Sequence, residues 1–419
     1  MAAAVAPDGT TVQLLKFESH WMMQYQWPIT TVQFYRGDAT AAATFLRQRL
    51  VEVAKLNPWI GGRLVKVKKP DGINLHFSKE SPPIDDMFEV SDEVQIHADM
   101  PYSQLAEKLA QSKGCVVPNG NGLIKSGKPI CKLTVLSSTQ ASDSFAVIFS
   151  MSHSVGDGHT YYTILNMLSA TAELIEMDVT RDEKFQEAIP SQIGEKEFEF
   201  MMSPPLCMMC HYMGMMFTAK IMPKKVTPQC FFLDKEKLTA AKETAKAENR
   251  AASFVSTNDI LTSGFGRAVK ARMLTMAINF RDRIDGLTQK HAGNYFGGLI
   301  WDPEGYASPN SVRNALSGSP PLSRGSLPTG CCISGNWTAM ITNWASMSQG
   351  SLDLPDCQQT LHIPYLNTAE MMEDSCIIFK ARPGEVAVML FLQNATVDAA
   401  RAQLPLGHPV SAAMFAPAR

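Results

Sequence analysis

Ser150-Met151-Ser152-His153-Ser154-Val155-Gly156-Asp157-Gly158 stands where an apolar, strand-like run gives way to a helical pattern. Phe145 to Met151 is apolar enough for a strand buried on both faces. From Thr160 onward Ile164, Met167, Leu168, Thr171, Leu174 and Ile175 recur at helical spacing. A histidine at a strand end rides on rigid backbone yet can face a cleft, and imidazole accepts a proton near neutral pH. His153 is therefore a candidate general base. Asp157 lies four residues on, between Gly156 and Gly158, where the backbone can turn sharply and approach a neighbour closely. Its carboxylate is expected to hold the loop, most simply by pairing with an arginine from elsewhere. On spacing alone, a purely structural role for both residues is equally open.

Working outward, Cys131 to Val135 and Phe145 to Met151 flank the turn-rich Ser137 to Asp143 and read as antiparallel neighbours. Thr31 to Tyr35 alternates like a strand, and Ala41 to Asn57 carries Phe45, Leu46, Leu50, Val53 and Leu56 at helical spacing until Pro58 ends it. These elements make a first zone, 1–182. A second, 183–228, is charged and then methionine-rich, and it reads as a crossover broken by Pro204 and Pro205. The third, 229–419, opens with a strand at Gln229 to Leu233 and a helix from Asp234. Another helix spans Thr257 to Arg272, capped by Ser256 or Thr257. Further strands are expected at Leu274 to Phe280, Trp337 to Trp344, Cys376 to Ala381 and Val386 to Leu392, with Ser308 to Gly330 as a loop.

The chain has 419 residues, 45% of them hydrophobic, which favours two lobes over one core. A formal net charge of -2, with basic residues scattered, gives no field for nucleic acid. No apolar run approaches the ~18 residues of a membrane span, and Met1 to Thr10 lacks the blocks of a secretory signal. Nine cysteines, an odd number, argue against a disulfide framework. A cytoplasmic monomer is the expectation.

The stretch around His153 resembles the HxxxDG motif of the CoA-dependent acyltransferase superfamily, which includes chloramphenicol acetyltransferase, peptide-synthesis condensation domains and the plant BAHD enzymes. Asn57-Pro58-Trp59-Ile60-Gly61-Gly62-Arg63-Leu64 is similar to the BAHD stretch after the first helix, and Ser256 to Leu261 to the opening of the second-lobe helix. Asn279-Phe280-Arg281-Asp282-Arg283 resembles the family's D-x-R-x-R, Gly293-Asn294-Tyr295-Phe296-Gly297 its YFGN region, and Thr342-Asn343-Trp344 its T-S-W. The family's DFGWG, eleven residues after that threonine, falls on Asp353-Leu354-Pro355-Asp356-Cys357, where only the aspartate survives.

The resemblance implies an α/β (α+β) fold of two chloramphenicol-acetyltransferase-like lobes, each a mixed sheet with flanking helices, and an active site at their interface. Acyl-CoA would be cosubstrate, with no bound cofactor or metal. His153 would deprotonate a hydroxyl or amine that attacks the thioester. Thr342, if not an ordinary strand threonine, would donate to the oxyanion, with Asn343 and Trp344 lining the pocket. Asp157, followed by Gly158, would bridge to Arg281 or Arg283, unless those are a solvated surface pair. A scaffold that keeps the fold without turnover is the competing class.

Other patterns have weaker claims. Cys207-Met208-Met209-Cys210-His211 matches the haem-attachment string, but nothing signals export, and a zinc site there lacks a fourth ligand. A metal triad of His153, Asp157 and His159 would need all three aimed inward. The stretch Met201 to Met222 offers adaptable thioethers, expected either near the acceptor entrance, touching a lipidic acceptor, or as plain packing between lobes.

Overall fold

The computed structural model describes residues 9–416 apart from 69–70, 81, 113, 138–142, 207, 211–212, 215–216, 218–225, 249–253, 328–337 and 368–372. The haem-like string lies partly outside them, at Cys207 and His211, as does much of the methionine-rich stretch. Among the described residues no helix is long and apolar enough to cross a membrane.

The first lobe is built on a five-stranded sheet. Its strands are β2 (Ile29–Arg36), β5 (Phe88–Ser91), β6 (Cys131–Ser137), β7 (Ser144–Met151) and β12 (Gln358–Pro364), in the order β12-β2-β7-β6-β5. β6 and β7 pair antiparallel, and every residue of β7 after Ser144 is buried, as its apolar run demands. A small sheet of β1 (Thr10–Gln13), β3 (Arg63–Lys68) and β4 (Asp71–Phe77) sits beside it, in the order β1-β4-β3. Helix Ala39–Leu56 starts where Asp38 accepts the Thr40 and Ala41 N–H groups, stops just before Pro58, and buries Leu46, Leu50 and Val53 in this core.

The second lobe is a seven-stranded mixed sheet of β8 (Gln229–Leu233), β9 (Met273–Asn279), β10 (Phe296–Trp301), β11 (Thr338–Asn343), β13 (Asp374–Arg382), β14 (Glu385–Phe391) and β15 (Leu406–Pro409). The strand order is β10-β9-β11-β13-β14-β8-β15. One face, with Leu274, Met276, Ile278, Ile341, Cys376 and Leu390, is buried under helices Thr257–Val269, Pro309–Ser317 and Val397–Gln403. Ser256 and Asp259 form a reciprocal capping box at the first of these helices, placing its start at Thr257.

The other face of that sheet is divided. Over β13, β14 and β8 it packs against the first lobe, where Ile377, Phe379, Met389 and Phe232 meet Val32, Phe34, Ile148 and Ile363. Over β9, β10 and β11 the same face stays half-open, and Thr275, Ala277, Phe296, Gly298, Met340 and Thr342 are only partly buried. This part of the face, from the edge strand β10 to β11, is less covered than the part that meets the first lobe.

Three expectations are corrected. Chain order puts 358–364 in the second lobe, yet β12 pairs antiparallel with β2 and completes the first-lobe sheet. The helix after Gly158 ends at Met167 rather than running to Ile175, because Arg49 bonds the Met167 carbonyl and the Ser169 hydroxyl and Ala170 amide are tied to the backbone of Asp353. Within Ser308 to Gly330, Pro309–Ser317 is a helix: Ser308 caps it, Pro309 takes the first turn, and Val312 and Ala315 are buried.

Candidate active site

β7 ends at Met151, and the next residues run under the edge of the open cleft face. Asp157 then caps helix Gly158–Met167 by accepting the Thr160 N–H at 3.0 Å. His153 is only partly buried, while its neighbours Ser152, Ser154 and Val155 are fully so. Its ring lies 5.5 Å from that of Phe296, the residue of β10 at the end of the half-open face, so the imidazole stands where the two lobes meet.

The orientation of that imidazole follows from its partners. Asn294 Nδ2 donates to the His153 backbone oxygen at 2.8 Å and to Glu18 Oε1 at 3.1 Å, both pure acceptors. This fixes the amide so that its Oδ1 faces His153 Nδ1 at 3.1 Å, and Nδ1 must carry the hydrogen. Nε2 is left as the basic nitrogen. Glu18 is wholly buried; its Oε1 also accepts the Asn294 N–H, and its Oε2 accepts from Leu15 N–H and from Arg181 Nε at 2.7 Å. Arg181 also donates to the Val155, Val179 and Ala292 carbonyls. Burial pushes the His153 pKa below the usual imidazole value, against the opposing pull of its own carbonyl, Asp157, Asn294 and Glu18, so the ring is neutral at pH 7.

Asp157 points away from His153. Its carboxylate takes two hydrogen bonds from Arg281, Nη1 to Oδ2 at 2.7 Å and Nη2 to Oδ1 at 3.2 Å, plus the Tyr295 N–H. Burial alone would raise its pKa, but the Arg281 charge and hydrogen bonds hold it below the ordinary carboxylate value. Arg281 also donates to the Gly293 carbonyl and lies 5.1 Å from the centre of the Tyr295 ring. Gly293 has φ +147°, and a Cβ there would run into the Tyr295 ring. Of the two arginines, Arg281 makes the bridge; Arg283 is exposed, and its charge faces Arg313. Gly158 faces Met347 on the loop after β11, where a Cβ would stand 2.8 Å from the methionine Cε.

Thr342 stands half-exposed on the open face of β11, beside Met340 and across from β9. Asn343 alternates to the covered side, donating to Asn258 Oδ1 at 3.1 Å on the overlying helix, so it lines no pocket on the face of Thr342. Trp344 is wedged between the first-lobe core and the inter-lobe core, edge-on to Tyr162 at 6.1 Å. Tyr162 in turn stacks on the buried His362, 3.2 Å from hydroxyl to Nε2. The surviving aspartate of the altered loop, Asp353, accepts from Thr171 and Ser351, and its backbone bonds Ser169 and Ala170. It therefore pins the strand-crossing segment to the first lobe. A polar cavity of about 400 Å³ lined by Ser351, Asp353, Gln359 and Arg382 lies there.

No metal triad assembles at the motif: Asp157 is committed to Arg281, and His159 Nε2 lies 2.9 Å from the Gln289 carbonyl. Sequence reasoning did not find Asn294 as a partner of His153, nor Glu18 and Arg181. Asn294 was legible only as part of the Gly293 to Gly297 string. Glu18 and Arg181, 163 residues apart, carry no pattern that links them.

The chain has a BAHD-like, two-lobed fold of mixed sheets with flanking helices, the fold of solved acyltransferase structures. No protein-family model matches the chain, and no curated protein does. Solved structures do. TRI101 of F. sporotrichioides, complexed with coenzyme A and T-2, superposes with a TM-score of 0.58 at 14% identity, covering 94% of this chain and 96% of that one. Vinorine synthase gives 0.54 at 15% identity over 96% and 94%. TRI3, a trichothecene 15-O-acetyltransferase from Fusarium sporotrichioides, gives 0.58 at 8% over 96% and 94%.

Proposed function

We propose that this chain is an acyltransferase that moves an acyl group from acyl-CoA to a hydroxyl or amine of a small-molecule acceptor, with His153 as general base. The observation that carries this reading is the hydrogen-bonded lock on His153. A neutral imidazole whose Nδ1–H is committed to Asn294 offers Nε2 to an incoming O–H or N–H at the mouth of an inter-lobe cleft. TRI101 bound to coenzyme A and T-2, and the acetyltransferase TRI3, supply the likeness that names the reaction class.

In this reading Nε2 takes the acceptor's proton as its oxygen or nitrogen attacks the thioester carbonyl. The tetrahedral intermediate then collapses, the C–S bond breaks, and the imidazolium returns the proton to the CoA thiolate. Thr342, on the open face of β11, is the candidate oxyanion donor, a contribution of about 3 to 4 kcal/mol when well placed. Asp157, Gly158 and Arg281 set the geometry rather than touching substrate. Both halves of the cleft come from one chain, so a monomer suffices. Acyl-CoA enters as cosubstrate, and no step asks for a metal.

The test is acceptor-dependent thiol release from a series of acyl-CoAs over a panel of alcohols and amines. His153→Ala should lower turnover by roughly 10²- to 10⁴-fold while leaving the melting temperature near that of the parent. Equal turnover in a folded His153→Ala variant would refute the assignment.

A further inference from the structure

The half-open face of the second sheet carries no charged side chain along its exposed row. β10 contributes Phe296 and Gly298, β9 contributes Asn279 and Ala277 opposite them and Thr275 opposite Ile300, and β11 adds Met340 and Thr342. Phe296 adjoins His153 and is met edge-on by Phe17 at 6.0 Å. At the far end of the same row Met273 and Ile300 are buried beneath Phe200 and Met208 of the methionine-rich crossover. The row therefore begins at the imidazole and ends under the crossover.

Met201, at the end of helix Glu195–Met202, marks the boundary. It packs against both the helix-covered core and the small Phe200–Met208 cluster, and a Cβ on Gly298 would lie only 3.2 Å from its Sδ and 2.9 Å from Thr275 Cγ2. Met201 thus rests on bare backbone. The YFGN string that the sequence resembles runs here as Tyr295-Phe296-Gly297-Gly298, so a glycine stands where the string has asparagine. With no side chain on Gly298, the Met201 sulfur lies against its backbone. Phe296 and Gly298 are two residues apart on one face, about 7 Å.

We propose that Met201, seated on Gly298, is the specificity-determining residue that closes the apolar end of the cleft, and that the space it bounds takes an unbranched alkyl group. The inference rests on the acyl-transfer reading of the cleft and adds the chemistry of what the cleft admits. Methionine suits the role because three rotatable bonds and a soft sulfur let it yield to a chain of the right length. The alkyl group can belong to the acyl chain or to the acceptor.

The experiment measures binding with two homologous series, the acyl-CoAs from acetyl to octanoyl and the 1-alkanols from butanol to decanol, by thermal shift and by competition with a fluorescent apolar dye. Wild type, Met201→Ala and Met201→Phe are compared, with Met201→Leu as the control for packing. In one series, and not in the other, Met201→Ala should move the preferred chain to a longer one. Affinity should gain roughly fourfold for each added methylene that becomes buried, and Met201→Phe should shorten the preference. The series that responds identifies the substrate that reaches Met201. Chain-length profiles that are flat, or unchanged among folded variants in both series, overturn the proposal. Binding is read without turnover, so a His153→Ala variant that still releases thiol would defeat the acyl-transfer reading on its own separate evidence.

Discussion

Asp157 and Arg281, 124 residues apart in sequence, meet through two hydrogen bonds inside the molecule, with side chains 5% and 0% exposed. One sits at the start of the helix behind His153 and the other follows β9, so the pair ties the His153 loop of the first lobe to the sheet of the second. Asp157 also caps its own helix and anchors the Tyr295 amide, one residue from Asn294. The same carboxylate that closes the lobes therefore sets the segment that orients the imidazole.

Asp157→Ala should destabilise the fold by about 3 to 5 kcal/mol, because the Arg281 charge is left buried without its partner. Chemical denaturation of the single variant and of the double variant Asp157→Ala/Arg281→Met checks this. The double variant should recover part of the loss. A single variant as stable as the parent would show that the bridge is not what joins the lobes.

Acyl transfer should lose rate on the acid side with a midpoint below pH 6.5, since burial lowers the His153 pKa and the base works only when neutral. From pH 7 to 8 the His153 contribution should be flat. Asn294→Ala removes the partner of Nδ1. It should reduce kcat by more than tenfold, up to the ~10⁴-fold seen when a base histidine is held in the wrong tautomer, with little change in acyl-CoA binding. Initial-rate profiles from pH 5 to 9 on both proteins measure this.

Stability should fall in mild acid through His362. It is buried on β12 against Tyr162, and burial lowers its pKa from 6.5 to about 4. The sign follows from proton counting: between pH 4 and 6.5 the unfolded chain binds the proton and the folded chain does not, so stability drops as pH falls through this window. At pH 5 the difference of 1.5 units is worth about 2 kcal/mol. His362→Gln should flatten that part of the melting-temperature profile. An unchanged slope in the variant would assign the acid sensitivity to other groups.

The sequence by itself determined most of the elements and the motif that carries His153. Ser144–Met151 is apolar throughout, Asp38 and Ser256 cap helices, and a histidine at a strand end precedes a glycine-flanked aspartate; all of this is local, because period, capping and turn chemistry act within a few residues. Tertiary structure decided what distance along the chain conceals. It chose Arg281 over Arg283, turned Asn343 to the covered side, moved β12 into the first-lobe sheet, and ended the helix at Met167 with bonds to Asp353. It also brought Glu18, Arg181 and Asn294 together behind His153. Such pairings carry little signal in sequence, since a buried ion pair or a strand partner is selected by whichever group the packed lobes bring within about 3 Å, and only the folded chain measures that distance.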